Sequence, residues 1–206
     1  MSGPTIEVRQ GDVTRSGLDV IVNASNTGVW LGSGVSGAIR AAAGPGYQEQ
    51  IQAAMRARFG DAMEPGEVLI TGAGAIPGAK HVAHVAVMDY REGHQGEAAP
   101  DEARICRASV ALWRAIEALT QEPLSVGMVA LGAGTGNLGV RLPTEIACET
   151  LKAHLAKTPD SRIARVVFHG YQVHEFANVL HVVKKHFAVD TSGIAKDVLE
   201  YVDSVQ

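Results

Sequence analysis

VIVNASNTGVWLGSGVSGAIRAAAG, residues Val20 to Gly44, is the stretch whose division decides the fold. An apolar run, Val20-Ile21-Val22, ends in Asn23-Ala24-Ser25-Asn26, and glycines follow at Gly32, Gly34 and Gly37. From Val35 the pattern changes to Ala38, Ile39, Ala41, Ala42 and Ala43, mostly strong helix formers, closed by Gly44-Pro45. The stretch therefore predicts a buried strand, a glycine-rich loop and a helix whose first turn faces that loop. The first N–H groups of a helix have no partner within it and lie at the positive end of its dipole. A glycine curl at that end either cradles a phosphate or is a plain tight turn. Gly32-Ser33-Gly34-Val35-Ser36-Gly37 fits a GxGxxG string, but a dinucleotide fold expects an acidic residue about 20 positions on, at the end of a second strand. Here that region, Ile51 to Phe59, has a helical pattern. No GxxxxGK[ST] occurs, which argues against a triphosphate-binding loop.

Outward from this stretch, strands are predicted at Ile6–Gln10, Leu18–Asn23, Glu67–Thr71, His81–Met88, Ser125–Leu131 and Arg162–His169. Helices are predicted at Tyr47–Phe59, Glu102–Leu119, Pro143–Ala156 and Val173–Phe187, with a thinner amphipathic pattern from Ile194 to Val202. Asp89–Ala99 is polar and contains Gly93 and Gly96, so a mobile surface loop is expected there. Strands alternating with helices predict an α/β protein, a three-layer α/β/α sandwich around a central, mostly parallel mixed sheet. Without repeats or linker-like breaks, residues 1–206 form a single domain, with 188–206 a C-terminal extension.

The chain has 206 residues, 46% of them hydrophobic, enough for one sizeable core. Its formal net charge of −4 offers no general attraction to nucleic acid or an anionic membrane. An anion site must therefore be assembled locally from backbone dipoles. Met1-Ser2-Gly3-Pro4 does not begin a secretory leader, and no run approaches the roughly 20 apolar residues of a membrane span. A cytoplasmic location without a membrane partner is expected. Cys106 and Cys148 fall within helical patterns and are expected to be small buried thiols in a reducing compartment. His81 and His84 point to opposite faces of a strand, and His181 and His186 are badly spaced for one metal, so neither metal nor cofactor is expected.

In open α/β sheets ligands gather outside the carboxyl ends of the strands. The loops at Gly11-Asp12, Asn23–Gly37, Gly132–Gly139 and His169-Gly170-Tyr171 should share that edge, and the two glycine-rich ones could cradle two phosphates from both sides. Asn23-Ala24-Ser25-Asn26 with its loop and alanine-rich helix resembles the macrodomain family. Gly11-Asp12-Val13-Thr14 is similar to that family's GDIT string, and Gly132–Gly139 followed by Pro143 to its second phosphate loop. Glu64-Pro65-Gly66-Glu67 with Lys80-His81-Val82-Ala83-His84 resembles its middle section. The likeness spans about Ile6 to Phe187.

The resemblance implies ADP-ribose, alone or attached to protein or nucleic acid, as the ligand. It implies that Asp12 and Val13 hold adenine with Tyr171 over its face. It further implies that Gly32, Ser33, Gly34 and Val35, with Gly134, Thr135, Gly136, Asn137 and Leu138, enclose the diphosphate, that Asn26 faces the distal ribose, and that Asn23 is among the ligand-binding residues. From the residues alone, Asp12 could instead cap a helical turn, Asn23 could merely tie loops together, and Tyr171 could belong to the core. The hydrolases of MacroD type carry an aspartate where this chain has Ser36, and the family often has a phenylalanine where Leu138 stands. A serine hydroxyl is a weak base without a partner. The expected chemistry is therefore hydrolysis of ADP-ribosyl conjugates by a water assisted by the substrate's own phosphate, with Asn26, Gly34 and Ser36 at the reacting end. A module that binds ADP-ribose without chemistry is the alternative. General nucleic-acid binding is not expected, because no Lys/Arg cluster interleaves with aromatics.

Overall fold

A computed structural model describes residues 3–91 and 99–204. Six strands form one sheet: β1 (Thr5–Gln10), β2 (Val20–Asn26), β3 (Val68–Gly72), β4 (His81–Met88), β5 (Leu124–Val129) and β6 (Ile163–Gly170). Their order is β1-β6-β5-β2-β4-β3, with every pairing parallel except β3 with β4. The predicted α/β/α sandwich and mixed sheet are thus what the chain forms. The helices are α1 (Gly34–Ala43), α2 (Tyr47–Phe59), α3 (Glu102–Glu117), α4 (Arg141–Lys157), α5 (Val173–His186) and α6 (Lys196–Ser204).

Side-chain alternation along each strand divides the core into two layers. Val20 and Val22 pack with α3, α4 and α5, whereas Ile21 between them packs with α1 and α2. On β4, Ala83, Val85 and Val87 join the first layer and Val82 and Ala86 the second. The tail is part of the first layer: Val202 of α6 is 1% exposed, and Ile194, Val198 and Leu199 pack beside it. Cys148 is buried, and burial pushes its thiol up to about 12. Cys106 is exposed, contrary to the expectation from its helical context, because it follows the buried Ile105 on the outer side of α3. The polar segment predicted at Asp89–Ala99 lies mostly at 92–98, outside the described residues.

One departure in the sheet prepares the site. β2 and β5 pair only at Val20↔Val126 and Ile21↔Gly127, although β2 runs on to Asn26 and β5 to Val129. Beyond that point the two strands part. The chain leaving β2 enters α1 on one face of the sheet, and the chain leaving β5 enters α4 on the other. Such a fork is a topological switch point, where open α/β sheets admit ligands.

Candidate functional site

The fork opens into a cleft of about 890 Å³, lined along the carboxyl edge by the ends of β2, β4, β5 and β6 and the loops that follow them. Gly32, Ser33, Gly34, Val35 and Ser36 form one wall, and Gly132, Gly134, Thr135 and Gly136 the facing one. Asp12, Val13 and Tyr171 close one end, and Asn26, Trp30, Tyr90 and Arg91 belong to the other. The two glycine curls anticipated from the sequence therefore meet across a single space.

Each wall presents main chain. Ser33 stands at the N-cap of α1 without making a side-chain cap bond, and Val140 makes none at α4. Gly34, at φ +58, opens α1 with empty space where a side chain would project. In the second curl a Cβ on Gly136 would lie 2.5 Å from the Gly132 carbonyl oxygen, so only glycine lets the loop close so tightly. Asn137 and Leu138, expected to contact the ligand, lie off the wall. Their amides bond inward, Asn137 N–H to Gly134 O at 2.9 Å and Leu138 N–H to Gly132 O at 3.2 Å. Leu138 packs against the core.

Asn23 lies beneath the cleft, fully buried. Its Oδ1 accepts from Ser36 Oγ at 2.9 Å, and its Nδ2 faces His84 Nδ1 at 3.1 Å. His84 Nε2 is 3.1 Å from Thr71 Oγ1, which is 3.0 Å from the Tyr47 hydroxyl, itself donating to Gly72 O. With Ser36 donating to Asn23, His84 Nδ1 accepts from the amide and Nε2–H donates to Thr71. Burial lowers the His84 pKa to about 3, so the ring is neutral. The Ser36 hydroxyl is one end of this chain, donating to Asn23 Oδ1, and has no basic partner among the described residues.

Asn26 is aimed differently. A register shift between Ser25 and Asn26 lets Asn26 reach the cleft edge. Its Oδ1 accepts from Gly28 N–H and Trp30 N–H, both at 3.1 Å, and its Nδ2 donates to Trp30 O at 2.9 Å. An asparagine amide has two N–H groups, so one remains for the cleft.

At the opposite end, Gly11 N–H donates to Gly170 O at 2.9 Å and draws Asp12 against Tyr171. Asp12 does cap a helical turn, with Oδ1 accepting from Thr14 N–H at 2.9 Å and Thr14 Oγ1 at 2.8 Å. Its carboxylate also belongs to the cleft lining. The Tyr171 ring stands outside the core, while its backbone N–H is tied to Glu175 Oε2 at 2.9 Å. His169, the histidine of β6, lines the same end with neither ring nitrogen hydrogen-bonded to a side chain among the described residues, and burial lowers its pKa to about 4.

Reading the sequence missed Trp30, Tyr90, Arg91 and Asp61, and brought His169 to this edge only as part of its loop. A tryptophan inside a glycine-rich loop was the one available signal among them. Arg91 is the only cationic Lys or Arg on the described lining, and Asp89 and Glu64 bind it at 2.8 Å each. Its guanidinium beside Asp89 holds that carboxyl down at about 2.

Fold and cleft define an α/β/α module with a cleft walled by main chain at its switch point. The Macro domain family model matches residues 22–151, and the chain belongs to that family. It is 34% identical over 177 residues to an O-acetyl-ADP-ribose deacetylase of Cronobacter turicensis, a match covering 85% of this chain and 93% of the relative. Among solved structures, a point mutant of the Oceanobacillus iheyensis macrodomain with ADPR superposes with a TM-score of 0.74 at 22% identity, covering 89% of this chain and 94% of that one. A Trypanosoma brucei macrodomain in complex with ADP-ribose superposes with a TM-score of 0.71 at 23% identity, covering 86% and 68%.

Proposed function

We propose that this chain binds ADP-ribose across the fork and hydrolyses ADP-ribosyl conjugates at the distal ribose. The observation that carries the reading is the meeting of two uncapped helix starts and two glycine curls across one cleft, with no free cation on the described lining. A diphosphate is the anion that two opposed sets of N–H donors suit, one phosphate to each curl. Adenine then falls at the Asp12–Val13–Tyr171 end, where the remaining carboxylate oxygen can accept from its amino group. The distal ribose falls at Asn26, within reach of the spare amide N–H.

In this site the backbone donors of Gly34 and its neighbours hold the distal phosphate against the ribose. A water adds at C1″ while the bond from C1″ to the conjugated group breaks. A phosphate oxygen of the substrate takes the water's proton and passes it to the departing group, which leaves protonated. Ser36 acts by fixing Asn23 and the start of α1, and the rate gain comes from positioning and preorganised donors. The relative named for deacetylating O-acetyl-ADP-ribose supports hydrolysis of a group carried on ADP-ribose. Binding without chemistry is the second reading, favoured by the Ser36 hydroxyl, which donates into Asn23 where a carboxylate would otherwise stand.

Calorimetry with ADP-ribose tests the first claim, and release of ADP-ribose from mono-ADP-ribosylated protein the second. Gly34→Glu sets a side chain on a positive-φ residue facing the cleft and is expected to weaken binding about tenfold or more. Release no faster than with Gly34→Glu or Asn26→Ala would leave the binding module as the function.

A further inference from the structure

Trp30 is 62% exposed and Tyr90 58% exposed, and both stand on the lining at the Asn26 end of the cleft. Their loops leave paired strands side by side, since Asn26 on β2 is opposite Met88 on β4. Thr27 joins them, its N–H donating to Met88 O at 2.9 Å and its hydroxyl to Asp89 Oδ1 at 3.2 Å.

The segment carrying the bare indole is braced at almost every backbone polar group. Asn26 holds Gly28 N–H, Trp30 N–H and Trp30 O. Gln48 Oε1 accepts from Leu31 N–H at 2.8 Å, and its Nε2 donates to Val29 O at 3.0 Å. Val29, a branched residue, is held at φ +54, a conformation that costs free energy and persists only under such restraint. A Cβ on Gly28 would lie 2.9 Å from the indole, so this glycine lets the ring lie down against the loop. The loop thus presents a rigid, solvated aromatic face whose ordering cost is met before any ligand arrives.

One aromatic end suffices for ADP-ribose, which has one base, and Tyr171 occupies the opposite end. The Trp30 end therefore suits a second planar group, attached beyond the distal ribose. Its charge is set by carboxylates. Asp61 lies on the same lining without an ion-pair partner among the described residues, two residues before Met63, whose N–H donates to Thr27 O at 2.9 Å. Asp89 and Glu64 both bind Arg91, the one Lys or Arg on the described lining, so that guanidinium is already held by carboxylates. A planar cation fits this surface, and an anionic oligonucleotide does not.

Resting on the proposed ADP-ribose reading, we propose that Trp30, Tyr90 and Asp61 form a leaving-group subsite for the guanidinium of an ADP-ribosylated arginine in a peptide. The guanidinium stacks on the indole, as its flat, weakly hydrated cation favours, and Asp61 supplies the countercharge.

The test measures initial competition against labelled ADP-ribose by four ligands: ADP-ribose, and peptides or an oligonucleotide carrying it on arginine, serine or thymidine. The arginine conjugate is expected to bind roughly five- to thirtyfold tighter than ADP-ribose. Trp30→Ala should erase that advantage while leaving ADP-ribose affinity within about twofold. Asp61→Asn, a change at an exposed side chain, should reduce the advantage without altering the melting temperature. Equal binding of the arginine and serine conjugates would overturn the proposal, as would preference for the thymidine conjugate. Loss of ADP-ribose itself in Trp30→Ala would do the same. Failure of the unaltered protein to bind ADP-ribose would instead overturn the functional reading beneath it.

Discussion

Asn23 and Asn26 stand three residues apart on one strand and face different tasks. On a strand their odd spacing sends them to opposite faces, and the shift in register after Ser25 sets where Asn26 meets the cleft edge. Asn137 and Leu138 could not be placed beforehand, because spacing does not show which backbone groups a glycine curl turns inward. His84 is fully buried and bonded at both ring nitrogens. Replacing it with leucine takes the acceptor from the Asn23 amide, while Thr71 keeps Tyr47 and Gly72. His84→Leu is therefore expected to lose about 1–3 kcal/mol in urea unfolding at pH 7.5. The folded pKa of about 3 lies below the ordinary 6.5, so the unfolded chain takes up the proton first. Stability is complete above pH 6.5 and declines as the pH falls toward 3, by about 3 kcal/mol at pH 4.5 from this residue. His169 adds to the decline between 6.5 and about 4. Unfolding followed from pH 7.5 to 4.5 should show a flatter slope in His84→Leu; an unchanged slope would mean that His84 is not the buried neutral group described.

At the scale of elements, period and turn chemistry recovered every strand and helix of the described chain to within a few residues. The larger error was at β2, expected to end at Asn23 but continuing to Asn26. Asn, Ser and Asn signal a turn to a reader of sequence, yet β4 supplies partners that keep the segment extended. The antiparallel edge strand and the early parting of β2 from β5 depend on tertiary pairing and leave no local mark. The glycine curls were legible because their conformations exclude other residues. Gly136→Ala forces the Gly132 carbonyl outward and should weaken ADP-ribose binding by about tenfold in calorimetry. The same variant should unfold only modestly earlier, since the loop lies at the surface edge of the sheet.

For the molecule as a whole, net charge and ligand charge have the same sign. Binding that relies on fixed dipoles rather than mobile counterions should respond weakly to salt. ADP-ribose affinity is expected to change by less than about threefold between 50 and 500 mM sodium chloride, and a steep decline would mean that a cation such as Arg91, rather than the main-chain donors, holds the diphosphate. A ligand bound as proposed bridges the two branches of the fork, so it should also report on global stability. At a hundred times its dissociation constant it adds about 2.7 kcal/mol, which raises the melting temperature by roughly 5–10 °C.

The linkage from Ser36 to Tyr47 also constrains what evolution or design can place at the reacting end. In Ser36→Asp, two acceptor oxygens would confront each other unless Asn23 turned its amide over. The inverted amide would then require a proton on His84 Nδ1, the other imidazole tautomer, and Thr71 would have to reverse its hydroxyl. Installing a carboxylate base at this position is thus a relay of coordinated flips ending at the sheet's far edge, and nitrogen-15 spectra of the His84 ring would record whether it had occurred.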